Sequence, residues 1–401
     1  MVGMAVTRGR VSPWTSARIA TEFVLAYVLA RLVIVGGPGA FPGAGSALTG
    51  PGAPRELKII GGTGYDGQFI YRLALDPFTT SATAHGITFD APAYRQQRIM
   101  TALLAHALHA IPGVGVAWAL VVVNTCAVIV AIVLGIELAQ DYGRSAWLGA
   151  LIALPACIPA SLALDLTEPL AWAGVLAALL AIKRGRWHWA AAAFTIAVLA
   201  RETSAIFVFG YVVESAVVLR RDRTQSARLW LLVPIAVEVA WQARLWAVWG
   251  TLPLLRGVST AGVGHREHLL TDRSVSGGPL FGVIKNFLYG LATGDTSNPA
   301  LGATYLIERV ALVGLIAATA WVLVTRRAQP GIALTVSWAV AVLVAFSMAW
   351  VVDVQFLRAG LEAWGTSVVV LALCDDRCVR PVLLIAASTT FLIAGRIIAT
   401  V

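Results

Sequence analysis

The sequence predicts an all-α transmembrane fold of about eleven spans with a long polar first loop, and three observations predict it. Of the 401 residues, 58% are hydrophobic and only 13% charged, with a mean hydropathy of +0.79; an ordinary soluble domain has an apolar share of roughly 45–50%. The apolar residues come in blocks of roughly 15–25, the length a helix needs to cross a hydrocarbon core about 30 Å thick. The excess positive charge, +9 with a pI near 9.8, falls in short Arg-rich clusters between those blocks. That is the pattern of cytoplasmic membrane loops and not of a nucleic-acid-binding face. A soluble helical protein and a nucleic-acid partner are therefore set aside.

Residues 1–16 are polar, with Arg8 and Arg10, and lead into an apolar run over 17–36. Glu22 and Arg31 interrupt that run, and it is longer than the apolar stretch of a cleaved signal, so it is read as a retained first span with the N-terminus cytoplasmic. A loop follows over 37–114. It is Gly- and Pro-rich at first, as in Gly36-Gly37-Pro38-Gly39 and Pro51-Gly52-Ala53-Pro54, then carries Asp66, Asp76 and Asp90. A connection of this length is functional or disordered, and Phe69, Ile70, Tyr71, Leu73 and Phe78 favour packing over disorder. Tyr65, Phe69 and Arg72 recur at helical spacing, which predicts a short membrane-parallel helix. Over 98–111, Ile99, Leu103, Leu104, Leu108 and Ile111 share one face, too short for a span and suited to the interface. His106 and His109 stand three apart there, the spacing of interfacial histidines or of metal ligands. The four cysteines suggest no disulfide framework and no zinc site.

Core spans are predicted at 115–139, 146–164, 168–182, 187–200, 203–219 and 229–249, then a second polar loop over 250–303, then spans at 304–325, 331–351, 356–374 and 380–400. Asp141–Arg144, Lys183–Arg186, Arg220–Arg223, Arg326-Arg327 and Arg377/Arg380 follow every second crossing, so all share the side of Arg8 and Arg10. The first loop, Asp165–Glu168, Arg201–Thr203, the 250–303 loop, and Asp353 with Arg358 then emerge on the other side. A single helix over 187–219 would bury Arg201 and Glu202 mid-membrane at roughly 2.5–3.5 kcal/mol each. Two short helices meeting at Arg201-Glu202-Thr203 avoid this and leave a dip in the membrane surface. Asp165-Leu166-Thr167-Glu168-Pro169 has the same character, with Thr167 or Asp165 as cap and Pro169 in the first turn.

Ionisable residues at membrane depth are functional candidates, although Arg201, Glu202, Asp165 and Glu168 also suit mutual pairing that holds helix ends together. Arg201 cannot lose its charge and suits bidentate phosphate binding. Arg358 is a second such basic group on the same face or a snorkelling interfacial residue, and Arg95 and Arg98 meet headgroups or a substrate phosphate. Asp66 sits in an Asp-Gly pair common in turns. Tyr65 and Gln68 beside it add sugar-type hydrogen-bonding groups, and Gly64 and Gly67 permit close approach. No phosphate-cradling Gly-rich loop and no Gly-x-Ser-x-Gly elbow is present.

Tyr65-Asp66-Gly67-Gln68-Phe69, Arg72-Leu73-Ala74-Leu75-Asp76-Pro77, Tyr94-Arg95 with Arg98-Ile99, and Leu199-Ala200-Arg201-Glu202-Thr203 resemble a group of uncharacterised bacterial membrane proteins thought to belong to the GT-C-type glycosyltransferases. The topology is similar to that superfamily as a whole; beyond residue 250 the resemblance rests on topology alone. It implies a GT-C-like fold and an enzyme that transfers a sugar, with inversion, from a polyprenyl-phosphate carrier to a glycan, lipid or protein acceptor. Asp66 matches the first-loop base, and the outward arginines, Arg201 foremost, match the groups that hold the lipid phosphate. The expected substrate-binding set is Tyr65, Gln68, Arg72, Asp90, Arg95, Arg98, Asp165, Glu168, Arg201, Glu202 and Arg358. Adjacent paired acids are lacking in the loop, so no cofactor is indicated, a divalent metal included. The 250–303 loop, with Arg256, His265–His268, Asp272-Arg273 and Asn286, is expected to cover the site. The expected location is a bacterial inner membrane, multi-pass among membrane lipids, with the active site extracytoplasmic. A transporter or flippase for a lipid-linked sugar is the alternative, and a non-catalytic subunit of an envelope-polysaccharide complex a third reading.

Overall fold

The computed structural model describes residues 12–253, 299–347, 358, 360–374 and 379–399. Residues 254–298 of the second loop, Arg8, Arg10, Asp353, and the Asp375-Asp376-Arg377-Cys378 cluster lie outside the described residues. The chain is mostly helical, as apolar runs dictate when backbone groups must bond within their own segment. Its helices are α1 (Pro13–Val35), α2 (Gly67–Leu75), α3 (Pro92–Gln96), α4 (Ile99–His109), α5 (Val116–Asp141), α6 (Ala146–Ala153), α7 (Ile158–Ala163), α8 (Glu168–Lys183), α9 (Trp187–Ala200) and α10 (Ala205–Arg221). A 3-10 stretch (Arg223–Leu231) then leads into α11 (Leu232–Trp249), and α12 (Pro299–Val324), α13 (Gly331–Ser347), α14 (Leu361–Leu373) and α15 (Arg380–Ala399) follow.

Among the described residues, five helical segments are long and apolar enough to cross a membrane by length and composition: Val116–Asp141, Glu202–Arg221, Arg223–Trp249, Leu306–Val324 and Arg380–Ile398. The run expected as one span over 146–164 is two pieces. Pro155 falls between α6 and α7, and a proline there can donate no backbone bond to continue a helix. α1 spans the expected first crossing but carries Arg18, Glu22 and Arg31; Arg31 is buried and donates from Nη1 to the Ile397 carbonyl on α15 at 3.1 Å.

The break at Arg201 forms as the charge argument expects. Arg201 itself is extended (φ −155°, ψ 118°), and the chain doubles back. The rings of Phe194 and Tyr211 stand 6.0 Å apart, and the Arg228 guanidinium lies 4.5 Å over the Trp187 ring.

The charged clusters gather at one end of the helices. Arg184 pairs with Asp141 at 2.8 Å and Glu137 at 2.9 Å, and Arg144 donates to the Leu373 carbonyl at 2.6 Å. Cys374 Sγ donates to the Arg327 carbonyl at 3.5 Å, and Glu214 joins Arg228 to the Ala333 amide. Asn124, nearer the opposite end of α5, is about 25 Å from Asp141 at 1.5 Å rise per residue.

The first loop is packed. Phe41, Ala44, Tyr71, Leu73 and Ile87 are each at most 1% exposed. Two strand pairs brace it, Ala44–Gly45 parallel with Ile59–Ile60 and Thr83–Ala84 antiparallel with Ile87–Thr88. At two residues each, they are too short to show an alternating pattern in the sequence. α2 and α4 form where the helical spacing places them. His106 Nδ1 bonds the Ala74 carbonyl at 2.8 Å and His109 Nδ1 the Val114 carbonyl at 2.7 Å, so each histidine ties a separate piece of chain.

Glycine at 67 is required by a close approach. A Cβ there would stand 2.3 Å from the Leu164 carbonyl oxygen and 2.8 Å from that of Pro42. This contact seats the start of α2, and so Asp66, against the segment joining α7 to α8. Gly67→Ala is expected to cost about 1–3 kcal/mol, the range of a forced backbone shift, while Gly61→Ala, which meets nothing within 4 Å, should unfold at the wild-type midpoint. Thermal unfolding in detergent checks both, and equal midpoints for the two variants would show that the seat yields.

Candidate functional site

The site is assembled from chain breaks. Asp66 stands at the start of α2, Arg95 in α3, Arg98 just before α4 and Glu168 at the start of α8. Arg201 and Glu202 lie in the turn between α9 and α10, Arg358 stands just ahead of α14, and Glu362 lies in its first turn. A helix end leaves backbone groups unpaired and gives charged side chains polar company, so the charges collect where helices stop.

Glu168 is central. It is fully buried, and its Oε1 accepts from Arg201 Nη1 at 2.5 Å and from Arg358 Nε at 2.7 Å, while its Oε2 accepts from Ser161 Oγ at 3.1 Å. Arg201 is held on every nitrogen. Its Nε donates to Glu362 at 3.0 Å and Thr203 Oγ1 at 2.7 Å, and its Nη2 to the Arg358 carbonyl at 2.6 Å. On the outer side, Asp66 accepts from Arg95 Nη1 at 2.8 Å on Oδ1 and from Arg358 Nη1 at 2.9 Å on Oδ2. Asp90 grips Arg95 through both oxygens at 2.7 and 2.6 Å. Glu202 grips Arg98 likewise at 2.8 and 2.5 Å, and Arg98 Nη2 also donates to Tyr94 Oη at 3.0 Å. Arg95 stacks 4.4 Å over the Phe69 ring.

A narrow recess opens on this network, lined by Asp66, Phe69, Ile70, Tyr94, Arg95, Arg98, Thr167 and Arg358. Arg98 Nη1 and Arg358 Nη2 make no hydrogen bond among the described residues and are not sealed from solvent. The recess is thus lined by three guanidiniums and one carboxylate, and two of the guanidiniums keep an open end. Burial alone would push the Asp66 carboxyl up, but Arg95 and Arg358, with Arg98 behind them, hold it well below the usual carboxylate range.

Of the residues singled out in the sequence, the structure brings Asp66, Asp90, Arg95, Glu168, Arg201 and Arg358 into one network with the Arg98–Glu202 pair beside it across the Tyr94 ring, and Tyr65 lies half-buried beside Arg358. Gln68 and Arg72 are corrections. Gln68 accepts from the Gly45 amide at 3.1 Å and Thr49 Oγ1 at 3.3 Å and donates to the Thr63 carbonyl at 2.8 Å. Arg72 donates to the carbonyls of Ala82 and Ser81 and stacks 3.7 Å over Phe89. Both face the interior of the loop and hold it together. Asp165 is fully buried but joins no ion pair among the described residues, and Thr167 precedes α8 without a side-chain capping bond. The phosphate role expected of Arg201 does not fit its geometry, since it is buried and fully engaged. The open donors belong to Arg98 and Arg358.

The residues that sequence reasoning missed are Tyr94, Thr203 and Glu362. Glu362 had a signal, standing four residues after Arg358 at the start of an apolar helix. Among the described residues no group of three or more His, Cys, Asp or Glu side chains is arranged to hold a metal ion. Comparison with protein-family models, with curated proteins and with solved structures yields no match.

Removing one partner of a buried ion pair leaves the other charge uncompensated, at about 3–5 kcal/mol. Glu168→Gln is accordingly expected to lower the unfolding midpoint sharply. Ser161→Ala, which removes one neutral donor, should cost about 1 kcal/mol. Chemical denaturation in detergent reads the two, and a Glu168→Gln midpoint within error of wild type would show that this carboxylate is not what joins α8 to Arg358.

Proposed function

We propose that the protein is a polytopic membrane glycosyltransferase of the GT-C type, moving a sugar from a polyprenyl-phosphate carrier to an extracytoplasmic hydroxyl. The observation that carries the reading is the recess in which Asp66 stands between two guanidiniums and which is lined by Arg98 and Arg358, each with one nitrogen free of hydrogen bonds among the described residues. The donor is a phosphodiester with one negative charge, and a pair of arginine donors is well matched to its oxygens. In this reading the phosphate takes the open ends and competes with Asp66 for Arg358 and Arg95. Asp66, released from its two clamps, then accepts the proton of the acceptor hydroxyl as that oxygen bonds the anomeric carbon. The anomeric carbon–phosphate oxygen bond breaks, and its electron pair leaves with the polyprenyl phosphate, an anion that Arg98 and Arg358 stabilise. Arg201 acts as a positioning residue, holding Glu168 and the backbone of Arg358.

The topology that goes with this reading has about eleven crossings. The short helices α8, α9, α13 and α14 also cross, at the cost of local bilayer thinning, with the N-terminus cytoplasmic and the recess on the outer face of a bacterial plasma membrane. One observation favours a transporter or flippase for a lipid-linked sugar instead: the segment from α6 through α7 to α8 is a discontinuous helix, a device of transporters. Covalent transfer separates the two.

With purified protein and a panel of radiolabelled polyprenyl-phosphate sugars, label is expected to pass to an acceptor. Label that crosses a vesicle membrane without changing its covalent partner would overturn the assignment in favour of transport. Asp66→Asn should lower kcat by about 10²–10⁴-fold, the usual contribution of a general base. The same variant should bind an alkyl phosphate more tightly, since the competing carboxylate is gone. Wild-type turnover in Asp66→Asn would remove the base from the mechanism.

The depressed state of Asp66 also has a kinetic sign. In the free protein it stays ionised far into acid; with phosphate neutralising its arginines it returns toward an ordinary value of about 4. kcat/KM reports the free enzyme and kcat the complex, so the acid limb of kcat should lie at higher pH than that of kcat/KM. Parallel limbs, or the reverse order, would show that donor binding leaves Asp66 clamped.

A further inference from the structure

The guanidinium of Arg98 is used on one edge and half used on another. Glu202 takes the side edge, where Nε donates to Oε2 at 2.8 Å and Nη2 to Oε1 at 2.5 Å. A guanidinium is a rigid planar fork whose N–H bonds have fixed directions, so the second N–H of Nη2 points to the far edge, the one it shares with Nη1. There it meets the Tyr94 hydroxyl oxygen at 3.0 Å. Nη1, on that same edge, makes no hydrogen bond among the described residues. One prong of the far edge therefore holds Tyr94, and the other is open.

The Tyr94 hydroxyl is in a matching condition. Its oxygen accepts from Arg98, so its own proton lies away from Arg98, and among the described residues that proton has no acceptor. Tyr94 lies in α3, four residues before Arg98, and both residues line the recess. The guanidinium carbons of Arg95 and Arg98 stand 5.3 and 5.1 Å from the centre of its ring, inside the roughly 6 Å over which a cation and an aromatic face attract, and this holds the ring in place. Two open donors, the N–H of Arg98 Nη1 and the O–H of Tyr94, thus start from neighbouring prongs of one fork. The prongs of an arginine edge are spaced to meet two oxygens of one carboxylate or phosphate. With Oη already on Nη2, an anion that docks on Nη1 becomes a neighbour of Oη. The second prong then reaches it by relay, Nη2–H to Oη and Oη–H to the anion. Hydrogen bonds in such a chain polarise one another, and a bond to an ionised acceptor is stronger than one between neutral groups.

We propose that Tyr94 is a substrate-binding residue whose hydroxyl donates to the phosphate that Arg98 Nη1 holds. The inference rests on the reading that the recess takes the phosphodiester of the donor. It gives the anion three donors in place of two, Arg98 Nη1, Arg358 Nη2 and Tyr94 Oη. The third adds affinity without adding charge, so the salt dependence of binding belongs to the arginines alone.

The test is calorimetric titration of the full-length protein in detergent with dibutyl phosphate, which carries the single charge of the donor and no sugar, over a series of NaCl concentrations. Tyr94→Phe keeps the ring beside Arg95 and Arg98. It should weaken binding about ten- to a hundredfold, the loss of one hydrogen bond to a charged group, with the salt dependence of the wild type. Fluorotyrosine at position 94, a stronger donor while it stays protonated, should tighten binding, and it decides the matter if Tyr94→Phe does not fold. Equal affinities in wild type and Tyr94→Phe would overturn the inference and leave the phosphate reading standing, as would a fluorotyrosine protein that binds no tighter. A shallower salt dependence in Tyr94→Phe would also overturn it, because the hydroxyl would then act only by holding Arg98 in place. If the wild-type protein does not bind dibutyl phosphate, the phosphate reading falls and this inference with it.

Discussion

One carboxylate oxygen holds the site together. Glu168 Oε1 is shared between Arg201 and Arg358, residues far apart in sequence that α9 and α14 bring to the first turn of α8. Remove that oxygen and Arg201 has no reason to face α8, Arg358 loses the contact that turns its second nitrogen toward Asp66, and the wall of the recess has no fixed position. The arrangement is costly by itself, since a buried ion pair seldom repays its desolvation and is weak evidence for stability. Here each member has more than one partner. Arg201 also reaches Glu362, Thr203 and the Arg358 backbone, and Glu168 also takes Ser161 Oγ. It is this multiple satisfaction that makes charge tolerable at such depth.

The balance of charge in the network has a direction. Four guanidiniums face five carboxylates, so the network as a whole carries one negative charge in excess. The excess lies behind and to the side, on Glu168, Glu202, Glu362 and Asp90, while the recess is lined by Arg95, Arg98 and Arg358 against Asp66 alone. An anion entering the recess meets guanidiniums first, and the carboxylates that hold those guanidiniums in place are screened by them. Discrimination between anion and cation is therefore a matter of which end of each arginine is exposed and not of total charge.

How much of this was legible in the sequence follows from which signals are local. The break at Arg201 was readable because two adjacent charges in an apolar run have few alternatives, and α2 and α4 were readable from their spacing. Asp66 and Arg358 were placed on one face by the alternation of charged clusters, which the chain of contacts through Asp141, Arg184, Arg144 and Cys374 supports. The pairing itself was not legible. Gln68 and Arg72 stand in the same motif as Asp66 and on a helix whose first turn reaches the recess, yet both turn into the loop because the carbonyls of Thr63, Ala82 and Ser81 need donors. Which side of a short helix meets the recess depends on strands of two residues, and no periodicity records those. The role of Arg201 was misjudged for a related reason: sequence shows that an arginine is present, but not how many of its nitrogens are already spent.

Asp66 carries two demands that conflict. As a brace it must be an anion clamped between Arg95 and Arg358, and every contact that improves the clamp lowers its affinity for a proton. As the base of the proposed transfer it would have to hold a proton in the transition state, which those contacts oppose. In the proposed reaction the conflict is resolved only if the clamp is released, and the open end of Arg358 provides for that: an anion that engages it draws on one of the two guanidiniums that clamp Asp66. On the proposed reading the residue is kept silent until a phosphate arrives.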